Sequence, residues 1–241
     1  MLVIPAVDLY NQRVVRMVNG SKQNMIVYKF HLKDLVSELI KDGFPLVHIV
    51  DLSMAIDNSD VNRELLVELA DYSCHVQLGG GIRSLEYSKE LLEMGFKRQI
   101  FSSMLIEKPK TIADLINMGV TPIFSLDTRN GLMQYNGWMR EDDRDVLSFL
   151  LELKLYGLTE LIHTCVEYDG TMQERDFGLT KKLAVESGLK IYAAGGVSSE
   201  KVLENAKTLY KETNGVFAGV IVGRSFLDGY LSKEVMKKYV S

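Results

Sequence analysis

Cysteine, proline and tryptophan are scarce in this chain, with two, four and one respectively among 241 residues. Cys74 and Cys165 stand far apart and in no metal-like spacing, which excludes a disulfide framework and suits a reducing compartment. No apolar run approaches the ~18 residues of a membrane span. The N-terminus lacks the basic, apolar and small-residue order of a signal peptide. A cytoplasmic protein with no membrane partner is expected. An excess of one charge is missing too. Lys and Arg number 28 against 32 Asp and Glu, a net charge of −4, so no general nucleic-acid surface is expected and an anionic ligand must be held by local devices. Neither a Pro/Ser linker nor a shift in composition divides the chain, and residues 1–241 read as one domain.

What is present is a series of short apolar strands. LVIPAVDL (2–9) and IFSLDT (123–128) are runs of the kind buried on both faces of a parallel sheet, and each closes on an aspartate, Asp8 and Asp127. LVHIVDL (46–52), CHVQLGGG (74–81), RQIFSS (98–103), ELIHTCV (160–166), KIYAAGG (190–196) and GVIVG (219–223) complete a set of eight. Helical spacing separates them: Leu32, Leu35, Val36, Leu39 and Ile40 before Gly43; Leu65 to Ala70; Leu85 to Met94; Leu147 to Leu155 before Gly157; and the stretches 179–187 and 198–210. Alternating strands and helices imply parallel strands joined by right-handed crossovers. Eight such units in 241 residues predict an α/β fold of the closed (β/α)8 TIM-barrel type. The polar stretch 10–24 reads as a long rim loop, and Asn130-Gly131 as a hairpin turn.

The two halves echo one another. Asp8 and Asp127 lie 119 residues apart, GGIRS (80–84) answers GGVSS (195–199) after 115, and FSS (101–103) answers VGRS (222–225) after 121. A two-fold repeat of half-barrels, about 1–120 and 121–241, is expected, with two equivalent ligand sites facing each other across the C-terminal rim. Diglycines directly after a strand free backbone N–H groups for an oxyanion, and the next helix N-terminus adds positive potential. Gly80 and Gly81 with Ser102 and Ser103, and Gly195 and Gly196 with Gly223 and Arg224, are therefore candidate phosphate sites. Asp8 and Asp127 are candidate acid and base, provided burial or neighbouring charge raises one carboxyl from its usual ~3.9 toward neutrality.

Other candidates keep two readings. Asp51 either caps a nearby helix or faces the substrate. Thr164 holds a sugar oxygen, orients Asp127, or packs. Trp138, in the hairpin loop, is placed to stack on a flat heterocycle. Arg13, Arg16, Arg83 and Lys22 are rim charges within reach of a phosphate or simply solvated. His48 and His163 sit inside strands and read as core histidines, and no pair has metal-site spacing.

IPAVDL, GGGIRS, FSLDTRNG, HTCVEYDGT, AAGGVSS and VIVGRSF, in register over the chain, resemble the ProFAR isomerases of histidine biosynthesis. That resemblance implies a TIM barrel carrying out an Amadori rearrangement of an aminoaldose to an aminoketose. The implied base is Asp8, the implied acid Asp127, with Thr164 the matching strand-six threonine. It implies no metal or other cofactor. The implied partner is a small-molecule substrate with two phosphates, and a monomer is expected. FSSM stands where many members carry a VGS-like loop. The related cyclase usually opens on PCLDV, and PAVDL favours the isomerase. An isomerase that also accepts phosphoribosyl anthranilate, a cyclase subunit, and a non-catalytic phosphate-ligand sensor stay open.

Overall fold

The computed structural model describes residues 1–18 and 21–240. Strand β1 (Leu2–Tyr10) continues past Asp8 and turns at Asn11 and Gln12 into β2 (Arg13–Val18), which pairs with β3 (Ser21–Val27). Among the described residues this antiparallel ribbon replaces the loop expected over 10–24, of which residues 19 and 20 lie outside the described residues. The turn works because Asn11 and Gln12 both take positive φ, 47° and 60°, matching the twist of a two-residue hairpin. Their N–H groups are met by Ser53 Oγ at 2.9 Å and Asn62 Oδ1 at 2.7 Å.

The chain then alternates. Helix α1 (Leu32–Lys41) buries Leu32, Leu35, Val36 and Leu39, the face its spacing predicts. It is followed by β4 (Val47–Asp51), α2 (Leu52–Asp57), α3 (Arg63–Glu68), a 3-10 segment (Ala70–His75) and β5 (Val76–Gly79). Cys74 and His75, read as strand, belong to that 3-10 segment, because β5 begins only where burial on both faces begins. Next come α4 (Leu85–Glu93), β6 (Arg98–Phe101), α5 (Ser103–Glu107) and α6 (Thr111–Asn117). Strand β7 (Thr121–Arg129) turns at Asn130-Gly131 into β8 (Leu132–Tyr135), which pairs with β9 (Arg140–Asp142). The remainder is α7 (Val146–Leu155), β10 (Glu160–Cys165), α8 (Gly178–Ser187), β11 (Lys190–Ala194), α9 (Glu200–Glu212), β12 (Phe217–Val222), α10 (Arg224–Leu227) and α11 (Lys233–Lys237).

Eight parallel strands close on themselves in the order β1-β4-β5-β6-β7-β10-β11-β12, with β12 back against β1, so the fold is a TIM barrel. Ile4, Ala6, Ile100, Ile123, Ile162, Tyr192, Ala218 and Ile221 fill the barrel, and the larger apolar core lies between sheet and helices. At the strand N-termini, Arg98 meets Glu160 with two bonds of 2.8 and 3.2 Å, and Gln77 Nε2 lies 3.0 Å from His48 Nδ1. That polar layer floors the barrel, so the open end lies opposite, where Asp8 and Asp127 stand.

The half-barrel echo is geometric as well as sequential. In the first ribbon Asp8 faces Val15, Leu9 faces Val14 and Tyr10 faces Arg13. In the second, Asp127 faces Gln134, Thr128 faces Met133 and Arg129 faces Leu132, each pair displaced by the same 119 positions (8 to 127, 15 to 134). Ser84 and Ser199 likewise cap α4 and α9 by accepting from Tyr87 and Val202 N–H.

Candidate active site

Strands β1 and β7 are four places apart in the ring of eight, so Asp8 and Asp127 approach from opposite walls of one mouth. Strands β5 and β11, which lead into the two diglycines, are also four apart. The carboxylates thus lie between two loops of matching backbone. Gly80 and Gly81 have φ of 100° and 70°, and Gly195 and Gly196 of 76° and 72°. A Cβ on Gly81 would stand 2.5 Å from Met54 Cγ, and one on Gly196 2.7 Å from Tyr168 Cβ. Positive φ and close packing both demand glycine there.

Asp8 is raised to about 7, first by burial and then by the charge of Asp169. Asp127 is raised to about 6 by burial. Three donors offset part of that effect, led by the Trp138 indole N–H at 2.8 Å from Oδ2 and followed by the Thr164 and Ser125 hydroxyls. Thr164 sits beside Asp127 on the neighbouring parallel strand. Two carboxyls titrating near neutrality are what acid–base work requires. Their order is the reverse of the implied roles: the expected base holds its proton to higher pH than the expected acid.

Trp138 reaches Asp127 from a strained turn in which Asn136, Gly137 and Trp138 all have positive φ, 54°, 65° and 65°. Its side chain is half-buried, with the ring N–H tied to the Asp127 carboxylate. Ser103 Oγ bonds Asn136 Oδ1 at 3.2 Å, tying the α5 N-terminus to the same turn.

The remaining candidates separate. Asp51 is buried and caps α2, accepting from Met54 N–H at 3.0 Å and Asn62 Nδ2 at 2.8 Å. Arg83 donates to the carbonyls of Met54 and Ala55 at the C-terminal part of α2. Ser102 and Gly223 cap α5 and α10 in one unusual conformation, φ/ψ of −124°/−91° and −98°/−89°. A Cβ at Gly223 would meet only Ala6 Cβ, at 3.7 Å, so the serine of FSSM fits without moving the backbone. Arg224 bonds the Gly170 carbonyl and pairs with Asp228 at 3.3 Å. Arg16 also pairs with Asp228, at 3.7 Å, while Arg13 is exposed on the first ribbon. The side chain of Lys22 lies outside the described residues. His163 is a core histidine held between the Thr128 and Thr180 hydroxyls at 3.0 and 2.8 Å. Among the described residues no cluster of His, Cys, Asp and Glu could hold a metal ion.

Over residues 2–232 the chain matches the model of a family described as histidine biosynthesis protein. The chain belongs to that family. Its curated relatives include proteins of Carboxydothermus hydrogenoformans, 31% identical over 95% of this chain and 94% of the relative, and Syntrophomonas wolfei, 32% identical over 95% and 94%. A third, from Pelotomaculum thermopropionicum, is 34% identical over 95% of this chain and 88% of its own. All three are named 1-(5-phosphoribosyl)-5-((5-phosphoribosylamino)methylideneamino) imidazole-4-carboxamide isomerase, the ProFAR isomerase of the sequence resemblance. A small phosphorylated substrate fits this family.

Two residues of this family member escaped the sequence reading. Asp169 follows β10 and packs its Cβ where a Cβ on Gly195 would come within 3.3 Å. Loss of hydration raises its carboxyl, while the charge of Arg175 pulls it down. Its charge acts on both Asp8 and Asp127. Its signal was there in VEYDGT, a carboxylate just past a strand end. Arg175 carried none; its place beneath the second diglycine is a product of folding.

Proposed function

We propose that this chain is a ProFAR isomerase that converts the aminoaldose to its aminoketose by an Amadori rearrangement. The observation that carries this reading is the pair of raised carboxyls, Asp8 and Asp127, on opposite barrel walls between two diglycine loops of matching conformation. One phosphate of the substrate sits at Gly80-Gly81 with Ser102 and Ser103, the other at Gly195-Gly196 with Gly223 and Arg224. Each half-barrel, 1–120 and 121–241, thus supplies one phosphate site and one carboxylate within a single domain. The protein works as a monomer in the cytoplasm on a small molecule, with neither nucleic acid nor membrane as partner.

In the chemistry, Asp127 gives its proton to the ribose ring oxygen as the C1′–O bond breaks and the nitrogen lone pair forms the C1′=N bond. Asp8 then removes the C2′ proton, and the C–H electrons form a C1′=C2′ double bond as the C=N electrons return to nitrogen. Protonation at C1′ and loss of the C2′ hydroxyl proton give the ketone. No oxidant is consumed. Binding energy at the two phosphates holds C2′ between the carboxylates.

The reactive form pairs an ionised Asp8 with a protonated Asp127. Because Asp8 holds its proton to higher pH than Asp127, the reactive form is the minor of the two singly protonated forms, a cost on the order of 1 kcal/mol. That is small beside the ~10²–10⁴-fold of general acid–base catalysis. Stacking of Trp138 on the imidazole ring of a bound substrate would take its N–H from Asp127, raising the Asp127 carboxyl and favouring the reactive form. Purified protein assayed separately with ProFAR and phosphoribosyl anthranilate tests the reading. Turnover of ProFAR is expected, and turnover of neither would overturn it.

A further inference from the structure

Arg175 is 4% exposed, and Asp176 and Asp169 act on it through charge without a hydrogen bond. Its guanidinium spends its donors on neutral groups. Nη1 donates to the carbonyls of His163 (3.3 Å), Ala194 and Gly195 (3.4 Å). Nη2 donates to Cys165 Sγ (3.3 Å) and Thr180 Oγ1 (2.8 Å), and Nε has no partner. The main-chain N–H of Arg175 takes the next carbonyl, that of Gly196, at 3.3 Å. One residue therefore holds three successive carbonyls, those of Ala194, Gly195 and Gly196.

In a trans peptide the C=O and N–H point in opposite directions. Turning those three carbonyls toward Arg175 turns the N–H groups of Gly195, Gly196 and Val197 the other way. Successive N–H groups on one side of a left-handed turn form a concave anion cradle, and both glycines have positive φ. The packing leaves no slack, since a Cβ on Gly196 would lie 2.8 Å from Arg175 Cβ. Charge completes the case. The guanidinium is held by carbonyls, a hydroxyl, a thiol and the face of Phe177, and burial works against its charge, which the non-bonded charges of Asp176 and Asp169 offset in part. The corresponding loop of the first half rests on Met54, so this buried cation has no twin there.

We infer that Arg175 is the positioning residue of the second anion site, shaping the Gly195–Val197 cradle from below and supplying charge that a bound phosphate monoester balances. The inference rests on the two-phosphate reading above and deepens it by making the two anion sites unequal. Arg175 does not touch the reacting atoms. Its loss should act on binding far more than on chemistry.

The test uses the whole protein and inorganic phosphate as probe. In Arg175→Gln the Kd for phosphate, and KM for ProFAR, should each rise at least about tenfold while kcat changes less than about threefold. Arg175→Lys, which keeps the charge, should recover part of that affinity. In wild-type protein, phosphate should shift the NMR signals of the Arg175 side chain and the Gly195, Gly196 and Val197 amides, a readout that needs no variant. A folded Arg175→Gln with unchanged Kd, or phosphate-responsive protein in which those signals stay fixed, would overturn the assignment. ProFAR turnover persisting in that case leaves the isomerase reading intact. Conversely, the expected phosphate behaviour without ProFAR turnover supports Arg175 and sinks the substrate.

Discussion

The indole N–H of Trp138 donates to Oδ2 of Asp127 at 2.8 Å, from a turn whose three residues 136, 137 and 138 are all left-handed. This bond favours the ionised carboxylate, and a hydrogen bond to a charged group is worth about 1.5–3 kcal/mol. Trp138→Phe keeps the ring and loses the donor, so Asp127 should hold its proton to a pH higher by about one unit. Because the optimum of kcat/KM lies midway between the two carboxyl values, it should move up by about half a unit. An unmoved optimum would show that the indole merely packs there.

For the wild type the profile itself is expected to be a narrow bell. With carboxyls at about 7 and about 6, kcat/KM should peak near pH 6.5 and fall on both sides. Removing the charge of Asp169 by Asp169→Asn should lower both limbs, since that charge raises both carboxyls. A broad plateau from pH 5 to 9 would mean that these two groups do not limit the rate.

Asn preserves the shape of Asp and removes proton transfer. Asp8→Asn and Asp127→Asn should each cost about 10²–10⁴-fold in kcat while the proteins still bind a substrate analogue. Asp8→Asn should also abolish exchange of the substrate C2′ hydrogen with solvent. Near-normal turnover by Asp8→Asn would point to another base. Asp169 is then the next candidate, because Asp51 is committed to capping α2.

The same substitution should stabilise the fold. The folded Asp8 carboxyl is raised above its unfolded value, so above about pH 4 the unfolded chain releases a proton that the folded one keeps. Stability is therefore lost as pH rises from about 4 through about 7. Asp8→Asn removes that loss, and its Tm should exceed the wild-type Tm at pH 8 by several degrees, with the gain vanishing near pH 4. Equal Tm values at pH 8 would mean that water in the mouth already hydrates the carboxylate.

Crystals grown in sulfate should carry two anions on the open face, near Gly81 and Ser102 and near Gly196 and Arg224. Arg224 is bound to Gly170 and Asp228 in the structure described here, so anion binding there should lengthen its contact with Asp228. One anion, or anions at the Arg98–Glu160 floor instead, would remove the support for a two-ended substrate.

How much of this was legible beforehand follows from the range of the forces involved. The barrel could be read directly, because strands buried on both faces must be continuously apolar and the helices between them must alternate with a period near 3.6. Asp8, Asp127 and the two diglycines were legible as strand ends for the same reason, and their repeat made them stand out. The ribbon of β2 and β3 was missed because its turn from β1, Asn11-Gln12, is not an Asn-Gly pair and depends on Ser53 and Asn62 from elsewhere in the chain. Long-range contacts also decided the rest. Asp51 became a cap when Asn62 reached it, Trp138 a hydrogen-bond donor to Asp127 when its turn took up left-handed strain, and Arg175 a buried charge when β10 and β11 closed over it. Local pattern determines which residues can lie on one rim. The order of the two acidities, which depends on burial and on groups far apart in the chain, exists only once the barrel has closed.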